Sequence, residues 1–356
     1  GVFIRTAIVE FYLDVKEYLA TNLQYGQNMQ ERISELLVTP LNKNDKPHTI
    51  LLVIGESASR DYMKAFNKEY KYDTTPWLDK MKESKNFILF PNAFSIGANT
   101  VLAVSNAMTE INQYNDKKFY NACSIIDIAH AAGYKVHWYS NQGHLGSADT
   151  PVTLIANTAD VAKWTKQELN QVQYDESLLP YLEELNPAKN NFLVVHLTGS
   201  HFNFLNRYPE SFTKFSTPGK YDLEVNYADS IAYTDYVLEQ IFNYAKDKLN
   251  LQAMVYFSDH ATVPDKRRSP NFEGLASVRI PFFTYFADEY IAQHQEVYDT
   301  LKKHENFYWT NDLAYELLSS ILDIKSNHFD EANSLASEKF KYKREDLRTN
   351  CGQTRI

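Results

Sequence analysis

The sequence predicts an α/β fold, with a mostly parallel central sheet and helices on both faces. Three observations carry that expectation. Short, largely aliphatic runs at 50–54, 191–197 and 254–257 are too brief for helices and read as strands buried on both faces. Helix-like segments separate them, in the order that builds parallel strands joined by crossovers. Polar side chains able to do chemistry then follow directly on these runs, at the edge where open α/β sheets bind ligands.

The 356 residues suffice for one large domain or two, with ample core. The formal net charge of −9 argues against a general nucleic-acid or anionic-membrane surface. Cys123 and Cys351 are the two cysteines, so one internal bridge at most can form and the redox compartment stays open. Neither lies in a C-x-x-C pattern, and structural zinc held through sulfur is not expected. No apolar run approaches the ~20 residues that span a bilayer. The start at Gly1-Val2-Phe3, without Met or signal peptide, suggests an excised fragment, with any membrane helices of the parent upstream.

In chain order, 5–37 is helix-like with Gly26 as its one interruption, and 39–48 is a linker with two prolines. The strand at 50–54 ends in Gly55-Glu56. Glu56 either caps the next helix, with Ser57 and Ser59 beside it, or holds a ligand. Thr75-Pro76 opens a helix, since Pro is tolerated in a first turn, and 87–93 is a further strand. The small-residue turn at 95–99 leads into a helical pattern with Thr100 at its start. The positive dipole end there favours an anion and lowers the pKa of a hydroxyl, although Thr at that position is also an ordinary cap. A helix at 125–132 stops at Gly133, and a period-two strand at 134–139 exits into Ser140-Asn141-Gln142. The strand at 191–197 runs into Thr198-Gly199-Ser200-His201. A long helix covers 222–247, and the strand at 254–257 leads at once to Ser258-Asp259-His260. A strand at 280–286, a helix at 310–324 and a polar surface wrap beyond 326 complete the chain.

Glu56, Thr100, Asp259 and His260 thus recur at one topological place. Two carboxylates, an imidazole and a hydroxyl make a tetrahedral set for zinc, which accepts nitrogen and oxygen donors where sulfur is absent. Bound metal would stabilise the Thr100 alkoxide and create a nucleophile at neutral pH. His196 and His201 leave another strand on the same edge. Either could donate to a phosphoryl oxygen, act as general acid toward a leaving alcohol, or hold a second metal. A single histidine at a strand end is more often structural, and the argument rests on convergence.

Ile54-Gly55-Glu56-Ser57-Ala58-Ser59-Arg60, Gly199-Ser200-His201 with Arg207-Tyr208-Pro209, and Tyr256-Phe257-Ser258-Asp259-His260 together resemble the phosphoethanolamine transferases. That family is a branch of the alkaline-phosphatase and sulfatase superfamily. Ala132-Gly133-Tyr134, Tyr174-Asp175-Glu176 and Asn226-Tyr227-Ala228-Asp229 look like its spacers, so the resemblance spans about 49–310. It implies a three-layer sandwich with a catalytic domain at 49–325. Residues 1–48 would be a helical connector and linker after membrane helices missing here, and 326–356 a polar tail on the domain surface. It further implies a bacterial inner-membrane protein with this domain in the periplasm. One zinc is expected and a second is possible. Phosphatidylethanolamine would be the donor, lipopolysaccharide or lipid A the acceptor, and nucleic acid no partner. By motif, Glu56, Thr100, Asp259 and His260 map to the metal, and Thr100 to the nucleophile that carries phosphoethanolamine while diacylglycerol leaves. His196 and His201 map to catalysis and substrate binding, and Asn99 and Arg279 are expected to bind substrate.

The sequence departs from the family in two ways. Members continue Asp-His with Gly-Glu, but Ala261-Thr262 follow here, and the His-Gly pair that usually comes next is missing, His294 being too distant. One or more cations of Lys266-Arg267-Arg268, or Arg279, would replace that histidine or bind acceptor phosphates; a solvated loop is the alternative reading. The chain also has fewer cysteines than the disulfide-rich members. A phosphoglycerol transferase or phosphodiesterase of the same superfamily would keep the metal and Thr100. Sulfatase chemistry lacks its C/S-x-P-x-R context. A catalytically silent lipopolysaccharide-binding domain would have no need for all four metal-site groups.

Overall fold

The computed structural model describes residues 20, 23–42, 44–143, 150–165, 172–218, 220–265, 274–350 and 352–356. Its strands are β1 (Thr49–Gly55), β2 (Phe87–Leu89), β3 (Ala93–Phe94), β4 (Lys135–Ser140), β5 (Val161–Trp164), β6 (Asn191–His196), β7 (Leu251–Ser258), β8 (Phe282–Phe286) and β9 (Trp309–Thr310), before a terminal hairpin of β10 (Arg348–Thr349) and β11 (Thr354–Arg355). Seven of them form one sheet in the order β2-β8-β7-β1-β6-β4-β5. The strands from β7 to β5 run parallel, and β8 lies antiparallel between β7 and β2. The mostly parallel sheet is borne out, with one strand reversed.

β1 is buried along its whole length. Ile50, Leu52 and Ile54 enter one apolar cluster, and Leu51 and Val53 enter another on the opposite face. That split follows from the period of two, and it explains the unbroken aliphatic run, since neither face meets water. Helices Ile125–Ala132 and Ala314–Ile321 cover the first face. The former begins with a capping box between Ser124 and Asp127 and ends at Gly133, whose φ of 109° suits a residue without Cβ. The second face is covered by Pro76–Met81 and the 26-residue helix Leu223–Lys248, which lays Tyr233, Val237, Leu238, Ile241, Phe242 and Ala245 on the sheet.

Three expected boundaries shift for identifiable reasons. The strand at 87–93 divides into β2 and β3 around Pro91, which cannot donate to a ladder. The strand at 280–286 starts later, because Arg279 and Ile280 first bridge to β3. The helix at 310–324 shortens to Ala314–Ile321, because Thr310 closes β9 and Asn311 opens a 3-10 turn.

Within 5–37, Met29–Ser34 is helical and packs on the domain. Tyr25 stacks on Phe119 with ring centres 4.6 Å apart, and the Arg32 guanidinium lies 4.0 Å over the Tyr25 ring. The segment after 326 does more than wrap the surface, since Leu335, Phe340, Tyr342 and Leu347 join the core of the first face. No described helix is long and apolar enough to cross a membrane.

Candidate active site

The register of the central strands fixes what emerges from the sheet. Ile54 pairs with His196 and Gly55 with Ser258, so Glu56 and Asp259 leave the edge side by side, with His196 two positions lower on the neighbouring strand. Two further hydrogen bonds extend the ladder past the strands: Asp259 N donates to Gly55 O at 3.0 Å, and Leu197 N to Ile54 O at 3.0 Å. Thr100 arrives from elsewhere, as the first residue of helix Thr100–Ala107. Asn99 caps that helix, its side chain accepting from Leu102 N at 3.0 Å. Asn311 stitches the two regions together, its Nδ2 donating to Asp259 O at 2.9 Å while its Oδ1 accepts from Ile96 N at 3.1 Å.

These elements bring four predicted groups into contact. Thr100 Oγ1 donates to the Glu56 carboxylate, with Oε2 at 2.9 Å and Oε1 at 3.1 Å, and lies 3.2 Å from His260 Nε2. His260 Nε2 stands 3.1 Å from Asp259 Oδ2 and 3.5 Å from Glu56 Oε1. Glu56, Asp259 and His260 are fully buried, each offering a ligand atom within 4.8 Å of the other two. Ser57, next to Glu56, has a φ of 57°, a left-handed conformation that costs a non-glycine residue about 1–3 kcal/mol. Its N–H reaches Asp259 Oδ1 at 3.0 Å and its carbonyl accepts from Tyr227 Oη, contacts that hold the turn.

The electrostatics of this cluster are those of buried, mutually interacting acids and an imidazole. Burial, then the neighbouring Asp259 charge, pushes Glu56 up to about 7. Burial opposes the Asp259 charge too, but His260 holds that carboxyl well below the usual range. Despite the burial, the two carboxylates raise His260 to about 10. Two buried acids therefore share one imidazole. Asp259 Oδ2 is buried and faces His260 Nε2 at 3.1 Å without a well-aligned hydrogen bond, an arrangement a cation between the two would satisfy. His260 Nδ1 lies 2.8 Å from Ala261 O, which keeps a proton on Nδ1 and turns Nε2 toward the carboxylates, where a bound cation would displace its proton. Oxygen and imidazole donors without sulfur suit zinc, and the residues present fit it.

His196 and His201 line a cavity of about 380 Å³ together with Asn99, Thr100, Ser140, Gln142 and the rings of Trp138 and Trp164. His196 Nε2 is buried with no hydrogen-bond partner, and burial lowers this imidazole to about 4, so it is neutral at pH 7. His201 Nδ1 lies 2.6 Å from Phe202 O. Sequence reasoning passed over the group that shapes the loop between these histidines. Asp175, fully buried, accepts from Thr198 N at 2.8 Å, Gly199 N at 2.9 Å and Asn141 Nδ2 at 2.9 Å. Its signal was an acid within a segment read only as a spacer. A smaller cavity of about 270 Å³ opens at the opposite, amino-terminal edge of the sheet, where His294 sits beside Asp323.

Arg279 is paired by Asp61, whose Oδ2 lies 2.8 Å from both its Nε and Nη2, and it is not among the described residues that line the cavity beside Thr100. The basic run Lys266-Arg267-Arg268 lies outside the described residues.

A sulfatase family model matches residues 48–323 of the chain. The chain belongs to the sulfatase family. Phosphoethanolamine transferase EptC of Escherichia coli (strain K12) is 28% identical over 357 residues, which cover 91% of this chain and 61% of the relative. The chain therefore spans about three fifths of that relative's length. The fold is that of the C-terminal periplasmic domain of EptC from Escherichia coli, with a TM-score of 0.75 at 24% identity, covering 88% of this chain and 94% of that one. A structure of the same domain in complex with Zn gives 0.74 at 22% identity over 90% and 96%. The resemblance read from the motifs is thus borne out, and so is an alkaline-phosphatase-like sandwich.

Proposed function

We propose that this chain is the catalytic domain of a zinc-dependent transferase. In this reading it moves phosphoethanolamine from phosphatidylethanolamine to a sugar of lipid A or the lipopolysaccharide core, through a covalent intermediate on Thr100. The observation that carries the reading is the position of Thr100 Oγ1, within 3.2 Å of both Glu56 oxygens and of His260 Nε2. A hydroxyl that only capped its helix would have no reason to face a buried acid cluster; here Asn99 does the capping. The names of the relatives and the zinc complex of the similar periplasmic domain support the same reading.

Glu56, Asp259, His260 and Thr100 Oγ1 would hold the zinc, which when bound supplies positive charge that favours loss of the hydroxyl proton at neutral pH. Thr100 Oγ1 attacks the donor phosphorus, the bond from phosphorus to the diacylglycerol oxygen breaks, and diacylglycerol leaves with a proton. His201 is the general acid for that departure. The same imidazole takes the proton of the acceptor hydroxyl in the second half, when that oxygen displaces Thr100 from phosphorus. Neutral His196 donates a hydrogen bond to a phosphoryl oxygen. Asn99, whose Oδ1 serves the helix cap, keeps its Nδ2 hydrogens for another, beside the free N–H groups of the helix start. The domain would work in the periplasm, at the inner membrane that supplies its donor, with upstream helices presenting the lipid.

Transfer from a labelled phosphatidylethanolamine tests this. Thr100→Ala should lower the rate by about 10⁴-fold or more, as loss of a nucleophile does, and Thr100→Ser should retain part of it. Full activity in Thr100→Ala would exclude the covalent route.

A further inference from the structure

Metal-binding groups gather at a second place, behind the helix that carries Thr100. Glu110, Cys123 and His328 belong to separate segments, yet each offers a ligand atom within 4.8 Å of the other two. Glu110 Oε2 accepts from Cys123 N at 2.7 Å and lies 2.9 Å from His328 Nδ1, while Lys117 Nζ reaches Oε1. Tetrahedral zinc binds sulfur at ~2.3 Å and nitrogen or oxygen at ~2.0–2.1 Å, which places neighbouring ligand atoms ~3.3–3.8 Å apart. These donors need to move by about an ångström or less to reach that geometry. Glu110 and Cys123 are buried, whereas the His328 side chain is 25% exposed, leaving a path from solvent.

Lys117, whose side chain is half exposed, can turn away from Glu110 when a cation takes its place. A thiol keeps its proton at neutral pH until a metal displaces it from the sulfur.

We propose that Glu110, Cys123 and His328 form a second, structural site for a thiophilic divalent cation such as Zn²⁺. On binding, the Cys123 S–H bond breaks, the proton passes to solvent and the sulfur lone pair goes to the metal. His328 coordinates through Nδ1 with its proton on Nε2, and Lys117 turns outward. The site clamps the loop 108–124, which follows the Thr100 helix and is hydrogen-bonded to itself through Thr109 and Ser124, to the segment around His328. The cysteine spacing argues against sulfur-held zinc, but the fold assembles in space what the chain keeps 218 residues apart.

Cobalt tests this on the full chain, because the Thr100 site contains no sulfur. After metal is stripped by a chelator, titration with Co²⁺ should give a thiolate-to-cobalt charge-transfer band and release about one proton from Cys123. Cys123→Ser and Glu110→Gln should lose the band and bind one equivalent fewer. Cys351→Ser and Glu56→Gln should keep the band. A parent protein without the band, or a band that survives Cys123→Ser, would overturn the site. Should Cys123→Ser fail to fold, His328→Ala at the partly exposed ligand must show the same loss of one equivalent, and an unchanged stoichiometry there would also refute it.

Discussion

Gly199→Ala offers a sharp test of how the β6 exit is built. Gly199 sits at φ 56°, and a Cβ on it would lie 2.7 Å from Glu56 O and 3.0 Å from Glu56 N. Both contacts are backbone, so neither can rotate away. Adopting a left-handed conformation costs an alanine about 1–2 kcal/mol, and forcing extra volume into a packed site adds about 1–3 kcal/mol. Together they amount to ~2–5 kcal/mol, a fall in melting temperature of roughly 3–7 °C for a chain of this size. The displaced backbone is that of Glu56, so zinc affinity should fall along with stability. Gly97→Ala is the control: its Cβ would meet only Leu102 Cδ2, at 3.7 Å, in ordinary contact. Thermal unfolding and zinc titration of both variants decide the matter. If Gly199→Ala melts and binds zinc like the Gly97→Ala control, the loop does not press on Glu56 and the described packing is wrong.

Two further expectations concern chemistry and stability. His201→Ala should slow transfer by about 10²–10⁴-fold, the usual worth of a general acid, with zinc content unchanged; an unaltered rate would reduce His201 to a structural part. Burial raises Asp235 to about 7 against N–H donors from Trp77 and Leu78, so the folded chain keeps a proton that the unfolded chain has released. Its contribution is full below the unfolded pKa of ~4 and is lost as pH rises through 7. Denaturation should show stability falling across that window, and Asp235→Asn should flatten the slope; an identical slope would mean the carboxyl stays charged.

What could be read from the sequence, and what could not, follows physical lines. The run 50–54 announces a strand because burying both faces leaves no polar position. Glu56 and Asp259-His260 stand out because they follow such runs directly. Thr100 is harder, since its short helix is reached from β3 and only the fold sets its hydroxyl against Glu56. Asp175 and Asn311 remained hidden because they act on backbone groups of distant segments, Thr198 and Gly199 for one, Ile96 and Asp259 for the other. The Arg279 partner, Asp61, could not be read for the same reason, since it lies 218 positions away. The tail read as polar because Leu335, Phe340 and Leu347 are isolated among charges, yet each is buried.

Peptide-level mass spectrometry of the chain incubated with a short-chain phosphatidylethanolamine tests the central claim most directly. The account predicts a phosphoethanolamine adduct on the peptide that contains Thr100, accumulating without acceptor and disappearing when a lipid A sugar is added. Transfer that proceeds with no adduct, or with the adduct on another residue, would contradict it.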